Sequence, residues 1–166
     1  MHYSLRLWVC SAVVATAALQ AHAQQSMLGD VQQAKYTELV AGPLAVHFSN
    51  EQAHKHVVLL GFEQGAANGW LYGVAAFRNS FGQPSAYLYY GHRWDGIFGK
   101  PSLYLKLSGG LLYGYKGKYE NKVPFNHHGL GVGIIPAVGY QLTPKDAVQA
   151  GLLGTAGMIF TYNRRF

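Results

Sequence analysis

Hydrophobic and polar positions alternate with a period of two in eight segments of the chain, each about ten residues long and bounded by turn-forming residues. The segments are 38–48, 55–63, 70–78, 85–94, 102–115, 131–142, 147–153 and 157–166. The fifth is the clearest. Leu103, Leu105, Leu107, Gly109, Leu111, Tyr113 and Tyr115 fall on one side, and Tyr104, Lys106, Ser108, Gly110, Leu112 and Gly114 fall on the other, because successive side chains of a strand point to opposite faces. The last segment repeats the pattern, with Met158, Phe160 and Tyr162 against Ile159, Thr161 and Asn163. The pattern predicts an all-β fold, an eight-stranded antiparallel up-and-down β-barrel.

Alternation alone does not tell inside from outside, and a soluble sandwich or a lipocalin-like barrel shows the same period with its apolar face inward. Three features favour a transmembrane barrel with the apolar face toward lipid. The segments are long enough to cross a bilayer while tilted. Aromatic residues gather near their ends, at Trp70, Tyr72, Trp94, Tyr113, Tyr115, Tyr140 and Tyr162, where they would form two interfacial girdles. The chain ends on Phe166 in an aromatic strand, which resembles the assembly signal of outer-membrane barrels. An even strand count places both termini on the periplasmic side. The connections 64–69, 95–101 and 143–146 are then periplasmic, and 49–54, 79–84, 116–130 and 154–156 external.

The first residues follow another pattern. Arg6 precedes an apolar stretch from Leu7 to Leu19, and Ala21-His22-Ala23 is a small-residue cleavage signature. Residues 1–23 are therefore expected to be a signal peptide and 24–166 the barrel domain. Cleavage would remove Cys10, the single cysteine, so neither a disulfide nor thiolate chemistry is expected. Residues 25–35, with Met27, Leu28 and Val31, suggest a short interfacial helix. The net charge of +6 becomes about +5 without Arg6. An exported chain rarely meets nucleic acid, so the expected anionic partners are lipid phosphates. The 21 glycines, 12 tyrosines and 8 phenylalanines, with no long apolar run after residue 23, exclude helical spans and permit membrane strands. The expected location is the outer membrane of a Gram-negative bacterium, and the expected state a monomer.

Candidate chemistry lies at one rim. His47 ends the first strand, and Arg78, Asn79 and Ser80 end the third and open its loop. An imidazole beside a hydroxyl is the minimum for acyl transfer. His54, His56, His127 and His128 lie in or beside loops, but no Cys or Asp completes a familiar ligand spacing, so no metal and no other cofactor is expected. Lys116, Lys118 and Lys122 make the longest external loop basic, which suits attraction to lipopolysaccharide phosphates.

The run Ala76-Phe77-Arg78-Asn79-Ser80-Phe81 resembles the Ala-Phe-Lys-Asp-Ser-Trp stretch of the lipid A palmitoyltransferases (PagP-like). Pro43 followed by Val46-His47-Phe48 is similar to that family's Pro and Trp-His segment at the top of its first strand. Gly91, twelve residues past Asn79, matches the spacing of a glycine on the family's barrel floor. Ile134-Ile135-Pro136-Ala137-Val138-Gly139-Tyr140 is similar to its Leu-Leu-Pro segment ending in Val-Gly-Tyr. The resemblance runs from about Pro43 to the C-terminus. It implies an eight-stranded barrel with a short N-terminal helix that moves an acyl chain from a phospholipid to lipid A. It implies catalytic roles for His47, Asn79 and Ser80 at the external rim, and an apolar well with Gly91 at its floor. It implies lateral lipid gates at Pro43 and Pro136, since proline removes a ladder donor.

Three departures from the family pattern bear on these roles. Asn79 replaces an aspartate. The gap from Pro43 to His47 is one residue shorter, which flips the side-chain parity unless a bulge compensates. Gly154 stands near the position of the family's last proline. The alternatives to an acyltransferase are a non-catalytic structural or adhesive barrel, a small-solute pore or a lipid deacylase. A barrel of this size is just wide enough for side chains or one small ligand, which argues against the pore. No Ser-His-Glu set can be placed at the rim, which argues against the deacylase.

Overall fold

The computed structural model describes residues 34–48 and 55–166. Eight antiparallel strands follow one another around a closed barrel, and the first pairs with the last. They are β1 (Ala34–His47), β2 (Leu59–Ala66), β3 (Trp70–Arg78), β4 (Pro84–Asp95), β5 (Leu103–Tyr113), β6 (Leu130–Gln141), β7 (Asp146–Leu152) and β8 (Gly157–Arg165). Closure of β1 on β8 removes both sheet edges. Among the described residues no helix is long and apolar enough to cross a membrane.

The strand boundaries differ from the sequence pattern by more than one residue at four ends, one of them the end of β2, which runs on to Ala66 rather than stopping at 63. Ala34 and Lys35 already belong to β1, so a helix over 25–35 cannot include its last two residues; 25–33 and the expected signal peptide lie outside the described residues. β2 begins at Leu59, not at 55, because β1 turns away from it after Gly42. β5 stops at Tyr113, not at Tyr115. Gly114 takes a φ of 122° there, which a side chain rarely permits, and the strand cannot continue.

The barrel carries its polar side chains inside and its apolar ones outside. In β5, Tyr104, Lys106 and Ser108 are buried while Leu105, Leu107, Leu111 and Tyr113 are exposed. Leu60, Phe62, Val74, Leu88, Ile134, Val138 and Phe160 continue the exposed apolar belt around the wall. Trp70, Tyr72, Tyr90, Trp94, Tyr140 and Tyr162 gather at the end opposite His47. Their cross-strand partners place them on the outward face, where Trp70 stacks on Tyr90 at 5.1 Å. The aromatic girdle is dense at that end. At the His47 end Tyr113 and Phe48 are its exposed counterparts on or beside the strands.

Inside, charges are matched. Lys106 donates to Glu63 at 2.9 Å, and the Tyr89 hydroxyl donates to the same carboxylate at 3.0 Å. Glu38 accepts from Asn163 at 2.5 Å and from Arg165 at 3.0 Å. Arg93 lies 3.5 Å from the ring centre of Tyr104 and bonds to Asp95 and Gln141, each at 2.8 Å. Buried charges persist only when paired and hydrogen-bonded. These groups fill the half of the interior away from His47. Toward His47 the lining is apolar, with Leu59, Phe77, Tyr87, Leu112 and Ile159.

Candidate functional site

His47 reaches the interior through a bulge. β1 shifts register against β8 between Ala41 and Leu44, so Ala41 pairs with Tyr162 but Leu44 with Phe160. Pro43 is exposed at the bulge. Residues paired across strands share a face, and Ala45 and His47 are paired with Ile159 and Gly157, both buried. The shortened spacing from Pro43 is thus offset, and His47 stands on the inward side of the wall.

Two gaps in the ladder adjoin the predicted gate prolines. β1 and β2 pair only as far as Gly42 and Leu59, immediately before Pro43. Above that level the strand pairs of β1 among the described residues are with β8. β6 and β7 pair only as far as Ala137 and Gly151, immediately before Pro136. Residues Leu130 to Pro136 keep their partners on β5 but have none on β7. Both gaps open at the His47 end, beside the apolar part of the interior.

Ser80 and Asn79 lie at the same end, separated from His47 by β2 and its lead-in residues. Ser80 is buried, and its carbonyl accepts the Lys55 amide at 2.7 Å. Asn79 is 1% exposed and fully engaged. Its side-chain oxygen accepts the backbone amides of Phe81 and Gln83, each at 3.0 Å. Its amide donates to Ser85 Oγ at 3.1 Å and approaches Gly114 O and Gln83 Oε1 at 3.4 Å. That is the geometry of a residue that shapes a turn, and none of these bonds goes to His47.

The remaining expected site residues are spread around the rim. Arg78, paired with Pro84, is exposed on the outer face. Lys116, Lys118 and Lys122 are exposed on the β5–β6 connection, with their ammonium groups 4.5 Å from the ring of Tyr113, 5.1 Å from Tyr119 and 5.8 Å from Phe81. His127 and His128 are exposed and adjacent, with ring centres 4.2 Å apart. Among the described residues no three His, Cys, Asp or Glu side chains group as metal ligands. Burial pushes the Tyr115 hydroxyl up to about 12. This ring packs edge-on to Phe81 inside the loop cluster, so the outward position that alternation assigned to Tyr115 is not the one it takes.

Gly91 does not border free space. A Cβ there would stand 2.4 Å from the carbonyl oxygen of Leu107 and 3.2 Å from the Leu71 side chain. The close approach of β4 to β5 is what requires glycine. Gly91→Ala is therefore expected to destabilise the barrel by about 1–3 kcal/mol, seen as a lower urea midpoint. An unchanged midpoint would show that the wall yields at no cost.

No protein-family model and no curated protein sequence matches the chain. The fold and the site define a class only: a closed eight-stranded antiparallel barrel with an apolar exterior, a polar, ion-paired half of its interior and an apolar half beside two gaps in the wall.

Proposed function

We propose that this chain is an outer-membrane acyltransferase that moves a fatty acyl chain from a phospholipid to lipid A. The observation that carries the reading is the coincidence, at one end of the barrel, of two ladder gaps at Pro43 and Pro136 with an apolar interior and an inward-facing His47. An acyl chain needs a path between lipid and the inside of the wall. A wall with missing backbone hydrogen bonds separates there more easily than a paired one. The outward apolar belt and the girdle of Trp and Tyr support residence in a bilayer.

In this reading His47 handles the proton of the acceptor hydroxyl, and Ser80 donates a hydrogen bond near the ester. Arg78, Lys116, Lys118 and Lys122 face the lipid A phosphates, and Pro43 and Pro136 border the gates. The chain acts as a monomer without metal or cofactor. The ion-paired half of the interior disfavours an open pore. The engagement of Asn79 in its turn favours a second reading, a non-catalytic small barrel.

Purified protein incubated in detergent with phospholipid and lipid A decides between the two. Transfer of an acyl chain to lipid A is expected; a folded barrel that transfers none supports the non-catalytic reading. Orientation has its own test. A cysteine at Tyr119 is expected to react with an impermeant thiol reagent on whole cells and one at Gly99 to stay protected, whereas reversed labelling would put the proposed site in the periplasm.

A further inference from the structure

We propose that residues 115–128 form a lid over the His47 end of the barrel, held shut by a latch at Asn79 that requires an amide. The lid has a defined neck. Gly114 and Gly129 have φ values of 122° and 90°, and the Gly114 amide donates to the Gly129 carbonyl at 2.9 Å. From this neck the segment folds back over the mouth. Val123 is 7% exposed, and its Cγ1 lies 2.6 Å from where a Cβ on Gly131 would stand. Gly131 pairs with Leu112 on the inward face, so Val123 caps the apolar interior from above. A side chain at 131 would evict it.

Besides the Tyr115 and Lys122 contacts with Phe81, further contacts tie the lid and its neck to the β3–β4 turn. Gln83 and Lys116 bond reciprocally, the Gln83 side-chain amide donating to the Lys116 carbonyl at 3.3 Å and the Lys116 backbone amide donating to Gln83 Oε1 at 3.2 Å. Phe81 stacks on Tyr119 at 4.0 Å with planes 13° apart. Asn79 joins the turn to the neck through Gly114 O. The amide orientation at Asn79 is fixed by its surroundings, because its oxygen faces two backbone donors and its nitrogen must then face the acceptors. An aspartate would keep the first pair of bonds. It would set an ionised oxygen against the Gly114 and Gln83 oxygens, neither of which carries a proton to donate, and Ser85 Oγ, the nearest partner at 3.1 Å, could donate to it only by giving up its bond to the Gln83 carbonyl. Asn79 is thus the residue on which the latch depends. With the lid shut, the wall gaps are routes from lipid to the apolar interior at this end among the described residues.

Lid opening can be read without acyl transfer. In the full chain carrying Cys10→Ser and Val123→Cys, the new thiol is the only one. Its reaction rate with a water-soluble maleimide, in the detergent-solubilised folded barrel, reports lid opening. The expected result is slow reaction with Asn79 present and a rate about tenfold higher or more in Asn79→Asp, as a buried acceptor left facing an acceptor implies. Gln83→Ala, which cuts the reciprocal bonds and leaves Asn79 in place, is expected to raise the rate in the same direction and decides the matter if Asn79→Asp does not fold. Fast labelling with the latch intact, or unchanged slow labelling in the folded latch variants, would overturn the proposal.

Discussion

His47→Ala is expected to lower acyl transfer to lipid A by about 10² to 10⁴-fold, the usual effect of losing a general base, while the barrel folds as before. The fold should tolerate the change because His47 sits at the end of β1, past the last β1–β2 pair, where its backbone rather than its ring joins the ladder to Gly157. An imidazole can take up and return a proton, and no other inward residue of the His47 end offers that chemistry among the described residues. Ser80→Ala is expected to act in the same direction, without loss of fold. Retained transfer in a folded His47→Ala barrel would remove the imidazole from the mechanism. Initial rates in mixed micelles, with folding checked by heat-modifiable gel mobility, measure both.

Lys106→Met is expected to have the largest effect on stability. It leaves the Glu63 carboxylate, 1% exposed, with only the Tyr89 hydroxyl as a donor among the described residues. Removing one partner of a buried ion pair typically costs about 3–5 kcal/mol. The double variant Glu63→Gln with Lys106→Met is expected to recover part of the loss, because it removes the orphaned charge as well. Urea titration of the refolded barrel checks both. A single variant as stable as the unaltered protein would mean that water or another cation reaches Glu63.

Strand number and order were legible in the sequence because period-two alternation is a local property that closure of a barrel does not alter; which face points outward was read instead from strand length and the aromatic residues near the strand ends. β5 and β8 show it most plainly, with Lys106 and Thr161 buried and Leu105 and Phe160 exposed as the alternation requires. Features set by contacts between distant segments were not legible. The pairing of Glu63 with Lys106 spans 43 residues and that of Glu38 with Arg165 spans 127. The bulge that returns His47 to the inward side depends on how β1 meets β8. Gly91 looked like a space-maker and is instead a site of close backbone approach. Asn79 was placed by resemblance as a carboxylate substitute, whereas its bonds go to a turn and a loop neck. Val123 and Gln83 were missed. The one available signal was the pair of glycines, Gly114 and Gly129, that bracket the loop.

The sum of these contacts describes a barrel whose His47 end is capped above by loop residues and interrupted at two places in its wall. In the proposed function a lipid would enter this end from the side, through the gaps in the wall. The most direct test is mass spectrometry of lipid A from cells that make this protein and from cells that lack it, grown under envelope stress. The account predicts a lipid A species heavier by one acyl chain in the first and absent from the second, and abolished by His47→Ala; identical lipid A in both, with the protein folded in the outer membrane, would contradict it.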